Sequence, residues 1–303
     1  MWFPLALITA LFWGGSDLFS KMGTDPRDKY SHLRIIIMVG TVMGIHGAIL
    51  LLITHQSFDP MSIIKYLPVS ALYIGAMALG YVGLRFLDLS VSSPVCNSSG
   101  AVASLLCFIF LPATRADMNA WKFLAIALVV IGIVLLSVFD MKDENKARKF
   151  RGEVIEDKYR ISAIAVFLPI FYCPLDALGT FGDMVVLDSL VSEEEAEIAY
   201  EFTFLLCAIV CFIFLVFVKK QKFNIWQERE KGLAALCETA GQFFYVYAIA
   251  ANPIMAAPLI SSYCLFSVIL SRIILKEKLT ARQYGAIAVA ICGIVIMGVF
   301  DGA

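Results

Sequence analysis

The stretch LFWGGSD at residues 11–17 returns in altered form as IFYCPLD at residues 170–176. Each stretch lies inside an apolar run of about twenty residues and ends in an acid, Asp17 or Asp176, with a glycine six residues further on. An acid within the membrane beside a glycine or proline interruption, at the same place in both halves of a chain, is typical of a transport site. The repeat therefore indicates both the fold and the region that carries the function.

The composition around these stretches is that of an integral membrane protein. Hydrophobic residues make up 60% of the 303 residues and charged residues only 16%, and the mean hydropathy is +0.83. These values lie outside the range of soluble domains. Ten apolar runs are each long enough to cross a hydrocarbon core about 30 Å thick. We place the spans near residues 3–20, 35–54, 66–86, 91–111, 121–139, 161–181, 198–218, 232–250, 254–275 and 284–300.

Several kinds of partner are not indicated. The net charge of -1 gives no sign of a nucleic-acid partner. The eight cysteines lie in or near apolar runs without metal-ligand spacing, so we expect neither a metal site nor a disulfide framework. The sequence has no nucleotide-binding motif, so we expect no cofactor and a gradient of ions or substrate as the energy source.

Two further echoes show that the chain is a duplication. The sequences IGIV and VFD at residues 131–140 match CGIV and VFD at residues 292–301, and Tyr81-Val82 matches Tyr245-Val246. We therefore predict a first five-helix repeat at residues 1–140, a polar linker at 141–160 and a second five-helix repeat at 161–303. Because five spans is an odd number, the second copy enters from the opposite side, and the topology is inverted.

The distribution of basic residues predicts an orientation. Of the 24 Lys and Arg residues, 21 fall in the odd-numbered connections, which the positive-inside rule places in the cytoplasm with both termini outside. The acidic connection 183–197 has no Lys or Arg and is predicted to lie outside. Glu201, close to a span end, is interpreted as a snorkelling residue.

The ionisable residues inside the spans are the main candidates for substrate binding or ion coupling. Counting 1.5 Å per residue puts Glu238 at nearly the depth of Asp17, and His46 at nearly the depth of Asp176. Two neighbouring carboxylates do not both ionise readily, so such a pair can bind and release protons. The alternative is that Asp17, Asp176, Glu238 and Gln242 are hydrogen-bonded links between helices.

Other candidates flank the acids or occupy matching spans. Trp13 and Tyr172 stand at the same place in the two repeats and are either packing residues or an apolar and cation-π surface for a substrate. Hydroxyl and amide residues in spans four and nine either join helices or line a wet path. The candidates there are Asn97, Ser98, Ser262 and Tyr263.

The chain resembles the EamA-type branch of the drug/metabolite transporter superfamily over essentially its whole length. The resemblance is carried by LFWGG at residues 11–15, AAPL at 256–259, and LKEKLT at 275–280 before a glycine-rich final helix. It implies two inverted five-helix repeats around a central cavity, alternating access, and both termini in the cytoplasm, which differs from the charge-based orientation. The first half departs from the pattern, because TRAD at 114–117 stands where the second half has KEK at 276–278.

These observations predict an all-α integral membrane protein with ten transmembrane helices. We expect a secondary transporter of the cytoplasmic membrane, with export favoured over uptake, that moves a small metabolite as a monomer or homodimer. Coupling to protons or exchange is expected through the acids. The alternatives are a membrane-embedded enzyme, which needs a nucleophile or metal set at one depth, and a scaffold, whose acids would tolerate apolar replacement.

Overall fold

A computed structural model of the chain describes residues 2–25, 28–54, 58–86, 97–111, 118–150, 163–274, 276 and 279–300. Within these ranges the regular structure is helical. The α-helices are α1 (Trp2–Gly23), α2 (Ser31–Thr54), α3 (Met61–Phe86), α4 (Ser99–Phe110), α5 (Ala120–Phe150), α6 (Ala163–Ser189), α7 (Glu193–Ile213), α8 (Arg229–Ala251), α9 (Pro253–Ile260), α10 (Tyr263–Ile274) and α11 (Ala281–Val299). A π-helical turn, Phe214–Val218, extends α7, and a 3₁₀ turn, Ile225–Glu228, precedes α8.

The described helices provide nine spans of membrane length, with α9 and α10 forming one span together. The shorter apolar helix α4 corresponds to predicted span four, whose first part, residues 87–96, lies outside the described residues. Large apolar side chains cover the outside of the bundle; Leu52 is 73% exposed and Leu206 63%. Such a surface is suited to lipid, since the backbone polar groups of a spanning helix are bonded within the helix. The prediction of a multi-pass membrane protein is confirmed.

Helix packing follows the duplication. The first helix of each repeat packs against the third helix of the other, so α1 contacts α8 as α6 contacts α3. Corresponding helices also meet across the halves, in the pairs α2 with α7, α4 with α9, and α5 with α11. This pattern is unchanged when the two halves are exchanged, as a pseudo-two-fold relation requires. The predicted fold of two inverted repeats is confirmed.

The repeated glycines at residues 132 and 293 explain one of these crossings. A Cβ added to Gly132 would lie 2.5 Å from the Cβ of Ala290 on α11, and one on Gly293 would lie 2.8 Å from the Ala125 carbonyl oxygen on α5. Each helix therefore brings a glycine to its partner, so that the two backbones approach closely. The sequence echo reflects a self-matching contact between the halves.

Two local expectations differ from the structure. Helix α5 continues to Phe150, ten residues into the predicted linker, while residues 151–160 lie outside the described residues. Helix continuation is reasonable because the segment is rich in Lys, Glu, Ala and Arg, which favour helix in water. Second, α1 and α6 run without a break past the glycines and proline beside the acids.

The helix interruption lies instead in span nine. There α9 ends at Ile260, residues 261 and 262 form a turn, and α10 begins at Tyr263. In the first repeat the equivalent residues 97 and 98 also form a turn just before α4. Interrupted helices free backbone groups near the middle of the membrane, and transporters use such positions for binding.

Candidate functional site

A cavity of about 160 Å³ lies between the two halves. Helices from both repeats contribute to its wall, and its described lining residues include no Lys, Arg or His. The lining residues are Trp13, Ser16, Asp17, Ser20, Tyr73, Met77, Gly80, Tyr81, Asn97, Ser99, Tyr172, Asp176, Tyr200, Glu238, Gln242, Ser261 and Tyr263. The cavity therefore combines three acids with many aromatic rings.

The two repeated aspartates have equivalent partners. The hydroxyl of Ser267 on α10 donates to Asp17 Oδ2 at 2.6 Å. The hydroxyl of Ser99 on α4 interacts with the Asp176 carboxylate. In each repeat, then, the acid of the first helix interacts with a serine from the fourth span of the opposite half. A hydroxyl that donates to a carboxylate fixes the direction of that carboxylate.

Glu238 breaks this symmetry, because Ile74 occupies the corresponding place in the first repeat at the offset of the Tyr81 and Tyr245 echo. Its carboxylate interacts with the Ser16 hydroxyl and lies close enough to Asp17 and Asp176 for electrostatic interaction. Three acids therefore share one cavity without a basic side chain among its described lining residues. Such a group requires protons or a bound cation to offset its charge.

Aromatic rings make up much of the cavity lining. Trp13 stacks on Tyr245 with ring centroids 5.1 Å apart, and Tyr263 meets the Trp13 ring edge to face at 6.3 Å. A Cβ on Gly241 would lie 2.4 Å from Trp13 Cδ1, so this glycine leaves room for the indole. Tyr172, the repeat counterpart of Trp13, also lines the cavity. Electron-rich ring faces attract organic cations.

Several buried polar atoms of the cavity wall have no partner among the described residues. They are Trp13 Nε1, Ser20 Oγ, the Tyr81 hydroxyl and Gln242 Nε2. Buried donors of this kind are normally satisfied by water or a ligand. The wall can therefore donate hydrogen bonds to a polar guest in addition to offering negative charge.

Three of the residues selected from the sequence lie outside this cavity. His46 lines a separate apolar cavity of about 410 Å³ between α2 and α8, and its Nδ1 is 2.7 Å from Glu201 Oε1, so it pairs with Glu201 and not with Asp176. The Ser98 hydroxyl lies 3.4 Å from Cys173 Sγ. The Ser262 hydroxyl donates to the Leu259 carbonyl at 2.5 Å. The two serines occupy the helix turns described above.

Two expectations about acids near span ends are wrong. Asp183, assigned to an outer connection, is 0% exposed inside α6, and Glu201, interpreted as snorkelling, is 0% exposed inside α7. The Tyr73 hydroxyl donates to Asp183 Oδ2 at 2.8 Å and the Tyr245 hydroxyl donates to the same oxygen at 3.0 Å. Tyr66 donates to the other carboxylate oxygen. This network of Asp183 and three tyrosines, the Asp183 network, joins α3, α6 and α8.

Sequence reasoning also missed part of the cavity wall. Tyr73, Tyr81 and Tyr200 line it, but single tyrosines in apolar helices resemble ordinary packing residues. The echo of Tyr81 and Tyr245 was a usable signal, since both residues of that pair lie at or beside the cavity.

Comparisons with known proteins agree with this architecture. The sequence model of the EamA-like transporter family matches residues 1–138 and 184–299. One solved protein crystal structure superposes with a TM-score of 0.71 at 14% sequence identity, over 97% of this chain and 95% of that one, which shows a shared fold. A search of curated proteins found no match. Because the family match covers most of both repeats, the chain belongs to the EamA-like transporter family and is a membrane transporter of the drug/metabolite transporter type.

Proposed function

We propose that this protein is a secondary transporter that exports a small organic cation across the cytoplasmic membrane by alternating access, in exchange for protons. The single observation that carries the proposal is the cavity in which Asp17, Asp176 and Glu238 face aromatic rings with no basic residue among the described lining.

The charge of the cavity supports exchange. Three carboxylates in a site of low polarity are stable when most carry a proton or when a cation lies among them. Proton and organic cation therefore compete for the same groups, and each displaces the other. A carrier that crosses the membrane loaded with one or the other uses an inward proton gradient to drive the cation out.

The size and chemistry of the cavity support a small guest. Its volume of about 160 Å³ is close to that of an engineered protein cavity of ~150 Å³ that holds benzene, and well below the range for drug-sized ligands. Trp13 and Tyr263 add aromatic surface to the cavity lining, which attracts an ammonium group, and Gln242 Nε2 offers a hydrogen bond. A substituted ammonium ion with a short polar arm matches these features.

The carboxylates are tested in proteoliposomes that are acidic inside and contain a pH-sensitive dye. Tetramethylammonium and choline serve as probes, because permanently charged cations do not cross lipid as neutral bases. We expect wild type to release internal protons when a probe is added outside. Asp17→Asn, Asp176→Asn and Glu238→Gln should each lower the rate at least tenfold, which corresponds to about 1.4 kcal/mol.

The matched control is Asp59→Asn, since the Asp59 side chain is 51% exposed and lies outside the cavity. Equal rates in wild type and the three cavity variants would remove the carboxylate hypothesis. Cation uptake without proton movement would overturn the exchange mechanism while leaving transport intact.

The aromatic wall is tested with a pair of glycine substitutions. Gly241→Ala forces the Trp13 ring to move, because the new methyl group would lie 2.4 Å from Cδ1, whereas a Cβ on Gly285 meets no atom within 4 Å. We expect Gly241→Ala to weaken probe affinity severalfold and Gly285→Ala to leave it unchanged. A loss of similar size in both variants would assign the effect to helix stability instead of the ring.

A further inference from the structure

A second group of ionisable side chains lies away from the cavity, at the contact of α2 and α7. His46 comes from α2, and Glu197 and Glu201 come from successive turns of α7. One imidazole nitrogen of His46 and one carboxylate oxygen of each glutamate all lie within 4.8 Å of one another. We call these three residues the His–Glu–Glu cluster.

The two glutamates are enclosed. Glu197 is 1% exposed and Glu201 0% exposed, whereas the side chain of His46 is 31% exposed. Both oxygens of Glu197 and Oε2 of Glu201 have no hydrogen-bond partner among the described residues, and the remaining oxygen of Glu201 contacts His46 Nδ1 at 2.7 Å. Leaving carboxylate oxygens buried and unpartnered is costly, so the cluster requires a positive species at its centre.

The surroundings supply no such charge. Among the described residues, the other titratable groups that interact electrostatically with Glu197 are Asp183 from α6 and the hydroxyls of Tyr66 from α3, Tyr200 from α7 and Tyr247 from α8. Glu193 and Glu194 add acids at the start of α7, and neither glutamate of the cluster forms an ion pair with a Lys or Arg among the described residues. The imidazole of His46 is the sole basic partner in this described environment.

We propose that His46, Glu201 and Glu197 form a proton-binding site separate from the substrate cavity. The carboxyl O–H of Glu197 donates to the Glu201 carboxylate, which also accepts Nδ1–H of the His46 imidazolium. The cluster then holds one neutral acid, one carboxylate and one imidazolium, and its total charge is zero. Each buried glutamate oxygen that faces the cluster centre gains a role in a hydrogen bond.

His46 is the point at which this site exchanges protons. It is the one member of the cluster with substantial exposure, and its ring lines the cavity between α2 and α8, where Phe243 meets it edge to face with centroids 5.9 Å apart. A proton that leaves Glu197 passes to Glu201 and then to the imidazole. Because α2 and α7 belong to different repeats, the proton content of the cluster affects the contact between the halves.

The protonated carboxyl is measured directly by infrared spectroscopy on the protein in lipid, through the carbonyl stretch of a carboxylic acid near neutral pH. We expect the difference spectrum between wild type and Glu197→Gln to show the loss of one carboxylic acid. His46→Gln should show the gain of one, because Glu201 loses its cationic partner and takes up a proton. Glu195→Gln, on the first turn of the same helix, is the control and should show no change.

This measurement needs no transport activity, so its failure is distinct from failure of the proposed function. An unchanged spectrum in a folded Glu197→Gln protein would overturn the proposal. If His46→Gln does not fold, spectra of wild type at acidic and at neutral pH test the proposal instead. The carboxylic acid band of Glu197 should be present at both pH values. If Zn²⁺ or Mn²⁺ raises the unfolding temperature of wild type but not of Glu197→Gln, the cluster binds a metal ion and the proton-site proposal is overturned.

Discussion

Asp183 and Glu197 are both buried acids close to the turn between α6 and α7, but they have opposite surroundings. Asp183 accepts hydrogen bonds from Tyr66, Tyr73 and Tyr245, whereas both oxygens of Glu197 lack a partner among the described residues. Three hydroxyl donors stabilise a carboxylate without any proton on it. The hydrogen-bond partners of Asp183 are thus part of the folded structure, whereas the partner of Glu197 is the proton that we propose.

The largest expected effect on stability comes from removing the carboxylate of Asp183. Asp183→Leu removes the carboxylate acceptor of three buried tyrosine hydroxyls, two of which also contact Thr180 Oγ1, so we expect a loss of about 3–5 kcal/mol in the free energy of unfolding. Denaturant titration of the purified protein, followed by tryptophan fluorescence, measures it. Asp59→Asn, at an exposed site, should stay within about 0.5 kcal/mol of wild type. Equal stability of the two variants would mean that the Asp183 network does not hold the helices together.

A smaller effect is expected from removing one donor. Tyr73→Phe deletes a 2.8 Å hydrogen bond to Asp183 and should lower the free energy of unfolding by about 1.5–3 kcal/mol. Tyr200→Phe is the matched control, since that buried hydroxyl donates, among the described residues, to the Met77 sulfur alone, a weak acceptor at 3.3 Å. The same titration compares them. A larger loss in Tyr200→Phe would contradict the assignment of Asp183 as the anchoring acceptor.

The smallest effect has the opposite sign. Glu197→Met replaces a buried carboxyl group, whose one proposed hydrogen bond is to Glu201, by an apolar side chain of similar length. Because burying the carboxyl group costs more than one such bond returns, we expect the free energy of unfolding to rise by about 1 kcal/mol. The measurement is again denaturant titration, with Glu195→Met on the same helix as the control. Destabilisation by several kcal/mol would show that Glu197 has an essential partner and would remove the contrast with Asp183.

The fold was largely predictable because the membrane allows few solutions. Apolar runs of sufficient length must be helices, and a duplicated unit of five spans must be inverted, so composition and the echoes at residues 11–17 and 170–176 lead to the observed architecture. The helical extension of α5 to Phe150, ten residues into the predicted linker, was not predicted; charged helix-forming residues explain it. Whether a membrane helix forms depends on the composition of its segment. Where the helix ends depends on whether the next backbone groups form hydrogen bonds within the helix or with water.

The candidate site was predictable only in part. Asp17, Asp176 and Glu238 stood out because acids are rare in the membrane interior, and the structure places all three in one cavity. His46 was chosen for the same reason but lies at a different contact. Depth along a helix can be counted from the sequence, whereas the direction in which a side chain points around the helix depends on packing.

The sequence by itself determined that this chain crosses the membrane as two related, inverted halves with acids inside the spans. Only the tertiary structure decided which partner each acid has. The donors to Asp183 lie 117 and 62 residues away along the chain, at Tyr66 and Tyr245, and Glu201 meets a histidine 155 residues away. Hydropathy and repeats are properties of consecutive residues and can be identified in the sequence. Hydrogen bonds and charge pairs join residues far apart in the sequence, so they depend on how the helices pack.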